Sequence, residues 1–439
     1  MISQEYKKLA NWALDYALSN GCSQARVVVY SGVDNSFEYR DSQLDKLEQS
    51  SEAGMSICVY VDDRYSSFST NRLDKEELKN FIKQGIESTH YLAIDKYRTL
   101  PPVERQYKGR KEDLELYDKA LEKISVDDKL RILKESVNEV YGKDKRLISV
   151  SAAYSDGTSE SYMVDSNGFE GENATTYYNL SAETSMQDKD DARPSSYWYD
   201  ASIFWNKLEK KGITQQAYER TLRKLGQTKI NSGAYKMLVD NLTVSRLLSP
   251  IISSLYGSSI QQKNSFLIDK LGEKIMSEKI TIVDSPHIKQ TRGARWFDGE
   301  GVATKRRTVI DSGVLSTYYL DTYYAAKLSM EPTIQSPSIL VMSKGEKSFE
   351  ELIKSIDKGI WVTGFNGGNS NSTTGDFSLG VEGFLVEKGN VTTPINEMNI
   401  TGNLLTLWQN IEEIGNDPRV NSPVQIPSIL FNNVSFNGK

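Results

Sequence analysis

Histidine and cysteine are nearly absent from this 439-residue chain, which has two of each. His90 and His287 stand far apart, as do Cys22 and Cys58. Zinc sites draw on two or three histidines or on grouped thiolates, so the scarcity argues against a zinc centre built by this chain alone. No Cys-x-x-Cys pair exists, which argues against a disulfide framework. No run approaches the ~18 apolar residues of a membrane span. The N-terminal Met-Ile-Ser-Gln-Glu-Tyr lacks the apolar core of a secretory leader. A cytoplasmic protein without a membrane partner is expected. Also missing are a Gly-x-x-x-x-Gly-Lys-Ser/Thr loop and a Gly-x-Gly-x-x-Gly that follows a strand and opens a helix, so neither ATP nor NAD chemistry is expected. There is no excess of positive charge. The formal net charge is −6, which argues against a nonspecific nucleic-acid partner.

What is present suits a folded chain of two or three domains: 38 % hydrophobic and 26 % charged residues. The 24 tyrosines fit half-buried strand positions, or else a groove for peptide or sugar. Residues 3–20 carry Tyr6, Leu9, Ala10, Ala13, Leu14 and Ala17 on one helical stripe that Gly21 stops. Short strands are predicted at Ala25–Tyr30, Ser36–Arg40, Leu44–Gln49, Met55–Val61 and Ser66–Thr70, with Gly32, Asp34, Asn35, Gly54, Asp62 and Asp63 in the turns between them. Asp74 caps a helix bearing Leu78, Phe81, Ile82 and Ile86. Residues 96–111, with Pro101-Pro102 and six Lys or Arg, read as an extended connector. Helices are expected at 114–123, 127–141, 214–225, 243–256 and near 321–328. Strands fill most of the rest, with Asn167-Gly168 as a hairpin turn. The expected fold is α+β with mixed and antiparallel sheets. A helix-plus-strand domain spans 1–230, and a strand-rich domain with a central helix spans 231–439.

Candidate chemistry is confined to a few places. His90 ends a helix, where a cation is favoured, and reads as structural. His287 follows Asp284-Ser285-Pro286 in a loop and could be either structural or functional. In the loop from Thr291 to Thr308, Arg292, Arg295, Lys305, Arg306 and Arg307 flank Asp298 and Glu300. Arginine can hold a carboxylate through two parallel hydrogen bonds, so the cluster fits a peptide terminus or an acidic side chain. An internal ion-pair network bracing a turn fits equally well. The glycine-studded run from Gly364 to Gly389 places Asp376, Ser378 and Glu382 near bare backbone, with Gly383 inside it. It fits either a ligand approaching that backbone or tight strand crossings in a closed sheet.

Several of these segments together resemble the TldD/PmbA family, once called modulators of DNA gyrase. They are Asp41–Tyr60, Ser66–Lys75, Lys263–Gly272, Phe297–Thr308, Gly375-Asp-Phe-Ser-Leu-Gly-Val-Glu-Gly383 and Ile400-Thr-Gly-Asn403, and the resemblance covers nearly the whole chain. It implies a peptidase assembly of two related subunits. One carries a His-Glu-x-x-x-His helix and a cysteine as zinc ligands, and the TldE or PmbA type lacks them. The segment Thr243–Tyr256 falls where the zinc helix belongs. Ser249 and Pro250 stand where His-Glu is expected, and Ser254 stands near the second histidine position. A serine hydroxyl is a poor zinc ligand beside imidazole or thiolate. The resemblance therefore implies a zinc-free, PmbA-type subunit with no metal and no catalytic residue of its own. Zinc would come from a TldD-like paralogue, and unfolded peptide would be the substrate. Arg292, Arg306, Arg307, Asp376, Ser378 and Gly383 are the candidate contacts with peptide or partner. Two other readings compete. One is a homo-oligomeric peptide- or protein-binding module without catalysis, a modulator of gyrase or its toxins; under any reading the isolated chain could form a homodimer. The other is a hydrolase built on Ser378 or Ser249, which the shortage of histidine bases disfavours.

Overall fold

The N-terminal half is one sheet built twice from the same five-element unit. The computed structural model describes residues 1–109 and 112–439, so Arg110 and Lys111 of the expected connector lie outside the described residues. The first unit is α1 (Gln4–Ser19), β1 (Gln24–Arg40), β2 (Gln43–Val61), β3 (Arg64–Thr70) and α2 (Lys75–Thr89). The second is α3 (Val126–Asn138), β4 (Leu147–Asp165), β5 (Glu170–Met186), β6 (Ser195–Ser202) and α4 (Ile213–Arg223). The strands form a six-stranded antiparallel sheet in the order β3-β2-β1-β4-β5-β6. This order gives the same unit sequence when read from either edge.

Helix ends follow local chemistry. The Ser3, Asp74 and Ser125 side chains accept from first-turn N–H groups of α1, α2 and α3, which would otherwise lack partners. Both helix pairs lie on the same face of the sheet, at opposite ends. Val27, Val29, Ile57 and Val164 pack under α1 and α2, while Phe37, Tyr154, Ala152 and Leu180 pack under α3 and α4. Between these apolar patches Asp156 is fully buried. It takes Lys129 Nζ at 2.6 Å, Tyr154 Oη at 2.6 Å and Asn35 Nδ2 at 2.7 Å, so each charge is paired and hydrogen-bonded, as burial requires.

Two differences from the expected elements have clear causes. The short strands of the first unit merge into the continuous 17-residue β1 and 19-residue β2. Gly54 does not make a turn: a Cβ there would fall 2.4 Å from the Tyr30 hydroxyl, so the glycine makes room for a ring. The helix expected at 114–123 shrinks to a short 3-10 stretch at Lys119–Lys123. Before it, Leu114 is buried against Ala294 and Ile339, and the Leu116 carbonyl accepts from Thr176 N on β5.

The C-terminal half runs β7 (Gly233–Val239), α5 (Ser245–Ser253), α6 (Gly257–Gln261), β8 (Ile282–Asp284), β9 (Arg307–Asp311), β10 (Val314–Leu315), α7 (Thr322–Leu328) and β11 (Leu340–Met342). It continues with α8 (Phe349–Lys354), β12 (Lys358–Ser370), β13 (Asp376–Glu387), β14 (Asn390–Asn403), α9 (Leu404–Gln409), β15 (Ile411–Ile414), β16 (Val424–Gln425) and β17 (Ile429–Asn437). Strands β14-β13-β12-β7-β17 close into a barrel through β14–β17 pairing, with β15 added to β17. A smaller sheet, β10-β9-β8-β11-β16, stands beside it. The largest core cluster fills the space between them.

The halves meet through two matching turns. In Asp165-Ser-Asn-Gly-Phe169 the Asp165 carboxylate accepts from Asn167 N and Phe169 N at 2.9 and 3.0 Å. In Asp298-Gly-Glu-Gly-Val302 the Asp298 carboxylate accepts from Glu300 N and Val302 N at 2.9 and 3.0 Å. Gly168 and Gly301 both take positive φ, at 88° and 83°, which glycine adopts without a Cβ penalty. Phe169 and Phe297 pack edge to face across the join. The connector threads between the turns: Tyr107 N donates to Gly301 O, Ala303 N to Arg105 O, and Gln106 Nε2 to Asp165 Oδ2 at 2.8 Å.

Candidate functional site

The helix expected at 243–256 is shorter, Ser245–Ser253, and Pro250 lies inside it. Two serine hydroxyls at its C-terminal end are occupied locally. Ser254 Oγ donates to Pro250 O at 2.8 Å and Ser253 Oγ to Ser249 O at 2.6 Å. Ser249 is exposed and Ser254 buried. Proline offers no side-chain donor atom, and a hydroxyl bonded back to its own helix carbonyl is poorly placed to bind a cation. Among the described residues no group of three His, Cys, Asp or Glu comes together as a metal site. The residues present at Ser249, Pro250 and Ser254 do not fit zinc.

The glycine run adjoins this helix. Arg246 reaches Gly368 O at 3.3 Å, Phe266 N donates to Ser372 O, and Ser372 Oγ bonds Asn264 at 2.5 Å. The degenerate helix and the β12–β13 hairpin thus share one edge of the barrel. Asp376 is exposed on that edge. Hydrogen bonds from Asn403 and Thr374 hold its carboxyl below the usual range. Ser378 is exposed on β13, opposite Thr401 of β14. Gly383 answers to packing: a Cβ there would fall 1.9 Å from Trp361 O, at a register shift between β12 and β13. The strand-crossing reading accounts for this residue.

The arginine loop divides. Arg295 braces the loop, bonding Ser338 Oγ, Ser336 O and Pro337 O. Arg292 is exposed and lines a separate cleft of about 380 Å³ with Tyr199, Asp200, Arg419 and Asn421. Arg306 is exposed. Arg307 begins β9 opposite Asp284 and is half-buried. Burial pulls its guanidinium below the ordinary value, and Asp284 and Tyr319 pull it back.

A polar interior behind Arg307 was not legible in the sequence. Tyr319 is 1 % exposed, and among the described residues its hydroxyl lacks a hydrogen-bond partner, as do Nη1 of Arg105 and Nη1 of Arg26. Asp284, 2 % exposed, accepts from Ser338 N and Ile339 N, and burial pushes its carboxyl up. Glu300 accepts from Thr322 N and Oγ1, and burial raises its pKa also, with Asp298 and Asp321 adding to the shift. Buried polar groups are nearly always paired, so this grouping of orphan donors and raised carboxyls fits a working site. The one available signal was that Asp298 and Glu300 stand in the arginine loop. Tyr319, Asp284, Arg26 and Arg105 come from four distant segments.

The contacts of the two histidines among the described residues go to other partners. His90 caps α2 with Nδ1 3.5 Å from Asp62. His287 Nε2 lies 3.0 Å from Thr304 Oγ1, and its ring packs on Trp296.

A barrel with a short helix at its edge is docked on a duplicated sheet through matched turns. Three consecutive models describe it: PmbA/TldA metallopeptidase domain 1 matches residues 25–89, the central domain 119–225 and the C-terminal domain 232–438. The chain belongs to the PmbA/TldD family. A crystal structure from Bacteroides thetaiotaomicron, described as a proposed modulator of DNA gyrase, is 54 % identical, with each chain covered over 100 % and a TM-score of 0.98. The metalloprotease PmbA homologue of Buchnera aphidicola subsp. Acyrthosiphon pisum is 29 % identical over 95 % of this chain and 93 % of its own. The same organism has a metalloprotease TldD homologue, 27 % identical over 51 % of this chain and 52 % of its own. Among the described residues no helix is long and apolar enough to cross a membrane.

Proposed function

We propose that this chain is the zinc-free, PmbA/TldE-like subunit of a TldD/TldE-type metallopeptidase assembly that cleaves unfolded peptides in the cytoplasm. The observation that carries the reading is the chemistry of α5. At the helix positions where the family resemblance puts zinc ligands stand Ser249, Pro250 and Ser254, and the Ser254 hydroxyl is spent on its own helix. A TldD-like paralogue brings zinc-activated water, and this chain brings the opposing wall that orients the peptide. The occurrence of PmbA and TldD relatives in one organism supports a paired assembly. Arg307 is the strongest candidate on that wall, because its guanidinium is half-buried beside a buried orphan hydroxyl on Tyr319.

The test is purification of the native protein with whatever accompanies it, followed by metal analysis and peptidase assay. The expected result is a zinc-bearing paralogue in the eluate, no stoichiometric zinc on this chain alone, and cleavage of unfolded peptide only by the mixture. About one zinc per isolated chain, or robust cleavage by the chain alone, overturns the reading. The description of the Bacteroides structure as a proposed gyrase modulator favours one second reading, a homo-oligomeric binding module. A homodimer that binds peptide and recruits no paralogue selects it.

A further inference from the structure

Among the described residues, half of β2 has no strand on its outer side. β3 pairs with β2 only from Met55 to Val61, while β1 runs along the other side from Gln43 to Tyr60. The ten residues from Gln43 to Glu52 are all exposed. Leu44 and Leu47 stand among them, 45 % and 52 % exposed. The matching segment of the second unit is covered. β6 pairs with β5 only from Tyr178 to Ser185. Before that stretch, the Leu116 carbonyl accepts from Thr176 N and Asp118 N donates to Thr176 Oγ1, both at 3.0 Å. From Glu170 to Tyr177 only Glu170 is exposed. The chain itself thus seals this edge in the second unit and leaves it bare in the first. A bare edge is a template for another strand, and folded proteins cover or blunt such edges.

The direction of the backbone groups on this edge follows from the hairpin next to it. Asp62 and Asp63 take positive φ, 47° and 58°, and such a two-residue turn is flanked by a hydrogen-bonded pair, here Val61 and Arg64. Bonding alternates along an antiparallel strand. Odd-numbered residues of β2 therefore turn N–H and C=O toward the β3 side, and even-numbered residues turn them toward β1. The Tyr60 carbonyl, which accepts from Ser23 N just before β1, obeys this rule. The register with β1 is unbroken from Lys46 to Tyr60, and the bulge falls at Asp45. Leu47, Gln49 and Ser51 thus aim their backbone groups outward.

The charges on the stretch are of both signs: Lys46, Glu48 and Glu52. Lys46 and Glu48 meet at 2.9 Å and are both exposed. A mixed set does not repel an identical strand in every register. Two identical edges related by a twofold axis present the same patch to each other, and here odd residues must face odd residues for the backbone to bond. An axis through Glu48 sets that carboxylate against itself, and an axis through Ser50 sets Glu48 against Glu52. Like charges directly opposite destabilise a pair. An axis through Leu47 runs the pairing into the bulge at Asp45, and one through Ser51 runs it into β3. An axis through Gln49 uses the whole regular stretch. It sets Lys46 opposite Glu52 of the second copy, twice over, and Leu47 opposite Ser51.

We infer that the Lys46–Glu52 stretch of β2 is the docking edge for a second copy of this chain, paired antiparallel about a twofold axis through Gln49. The backbone groups of Leu47, Gln49 and Ser51 find their partners in the second copy, and the two six-stranded sheets continue into each other. The inference does not rest on the paralogue reading, since Arg307 belongs to β9 in the other half of the chain. A ribbon this narrow is at the small end of specific interfaces, so the dimer is concentration-dependent.

The experiment is sedimentation of the full chain over a concentration series, together with disulfide trapping of cysteine variants. Each variant changes an exposed side chain and keeps the strand backbone. Only a residue on the axis meets itself. Gln49→Cys should therefore link two chains on mild oxidation, while Leu47→Cys and Ser51→Cys should link only when mixed with each other. The native Cys22 and Cys58 are buried. Lys46→Glu should weaken dimerisation about tenfold, as two attractive pairs turn repulsive, and adding Glu52→Lys should restore it. A chain that stays monomeric throughout the series, Leu47→Cys linking to itself as readily as Gln49→Cys, or a dimer indifferent to Lys46→Glu overturns the inference. So does a monomer whose edge amides are protected from hydrogen exchange only by a co-purified paralogue or by added unfolded peptide, which would assign the edge to that occupant.

Discussion

The two faces of the N-terminal sheet bury charge in opposite ways. On the face covered by helices, Asp156 has a hydrogen-bonded partner on every side, from Lys129, Tyr154 and Asn35. On the face turned to the barrel, Arg26 keeps one guanidinium nitrogen unpaired, with Glu300 near it. Beyond the join, Arg105 and Tyr319 also keep unpaired atoms. A closed network commits its groups to the fold. An open one leaves hydrogen-bonding capacity for something that arrives later, and it weakens the fold while it waits.

The sharpest way to break the comparison is Asp156→Ala. It strands a buried ammonium on Lys129, and the expected loss of unfolding free energy is about 3–5 kcal/mol, read from urea denaturation. A loss below about 1 kcal/mol would mean that the helix-covered face does not depend on its ion pair.

Next in size is Arg307→Ala, on the open side. It should weaken binding of unfolded peptide by about 1.5–3 kcal/mol, the range for hydrogen bonds to a charged group, while the melting temperature stays close to that of the parent. Arg307→Lys should recover only part, since the two-pronged geometry is gone. Arg306→Ala should bind as the parent does. Titration calorimetry of the assembly decides the matter, and equal affinities for all four proteins would return Arg307 to the ion-pair reading.

A smaller effect is expected from acid. Burial raises the Glu300 pKa, so the unfolded chain holds fewer protons on this group than the folded chain does. Its contribution to stability is fully present below the ordinary glutamate value of about 4.3. It fades as pH rises through the higher folded value. Glu300→Gln should therefore gain stability at neutral pH, and the gain should vanish below about pH 4. Parallel melting curves across that range would show that Glu300 is not held in a disfavoured charge state.

The least change is expected from Tyr319→Phe. The hydroxyl removed has no partner among the described residues, so stability should hold or rise by about 1 kcal/mol as the cost of burying an unpaired group is relieved. A loss of 2 kcal/mol or so, the cost of a broken buried hydrogen bond, would prove that the hydroxyl is satisfied in solution.

Much of this fold can be read from local pattern. Helical stripes and caps located α1 and α2, helices were also expected where α3, α4 and α7 lie, and the Asn167-Gly168 turn fell where expected. The long strands escaped because Gly32, Asp34, Asn35 and Gly54 carry turn chemistry. Their tertiary roles override it: Asn35 donates to Asp156, Asp34 accepts from Tyr177 at 2.6 Å, and Gly54 yields to a ring. The duplication escaped because the two units repeat an order of elements rather than a string of residues. In the candidate site the arginine loop singled out in the sequence supplies Arg307, Asp298 and Glu300. It could not separate Arg307 from Arg306, since that depends on which side chain faces Tyr319 and Asp284. Spacing along a chain does not report which distant donors meet behind it.

The duplicated sheet also sets a timetable for synthesis. Its two units join along β1 and β4, where Arg26 pairs with Asp165, nearly 140 residues later. A ribosome adding about 5–20 residues per second would leave the inner edge of β1 bare for on the order of ten seconds. During that interval the nascent first unit offers an unsatisfied strand edge to any neighbouring chain. Chaperone demand and aggregation should therefore peak when translation stalls between the two units.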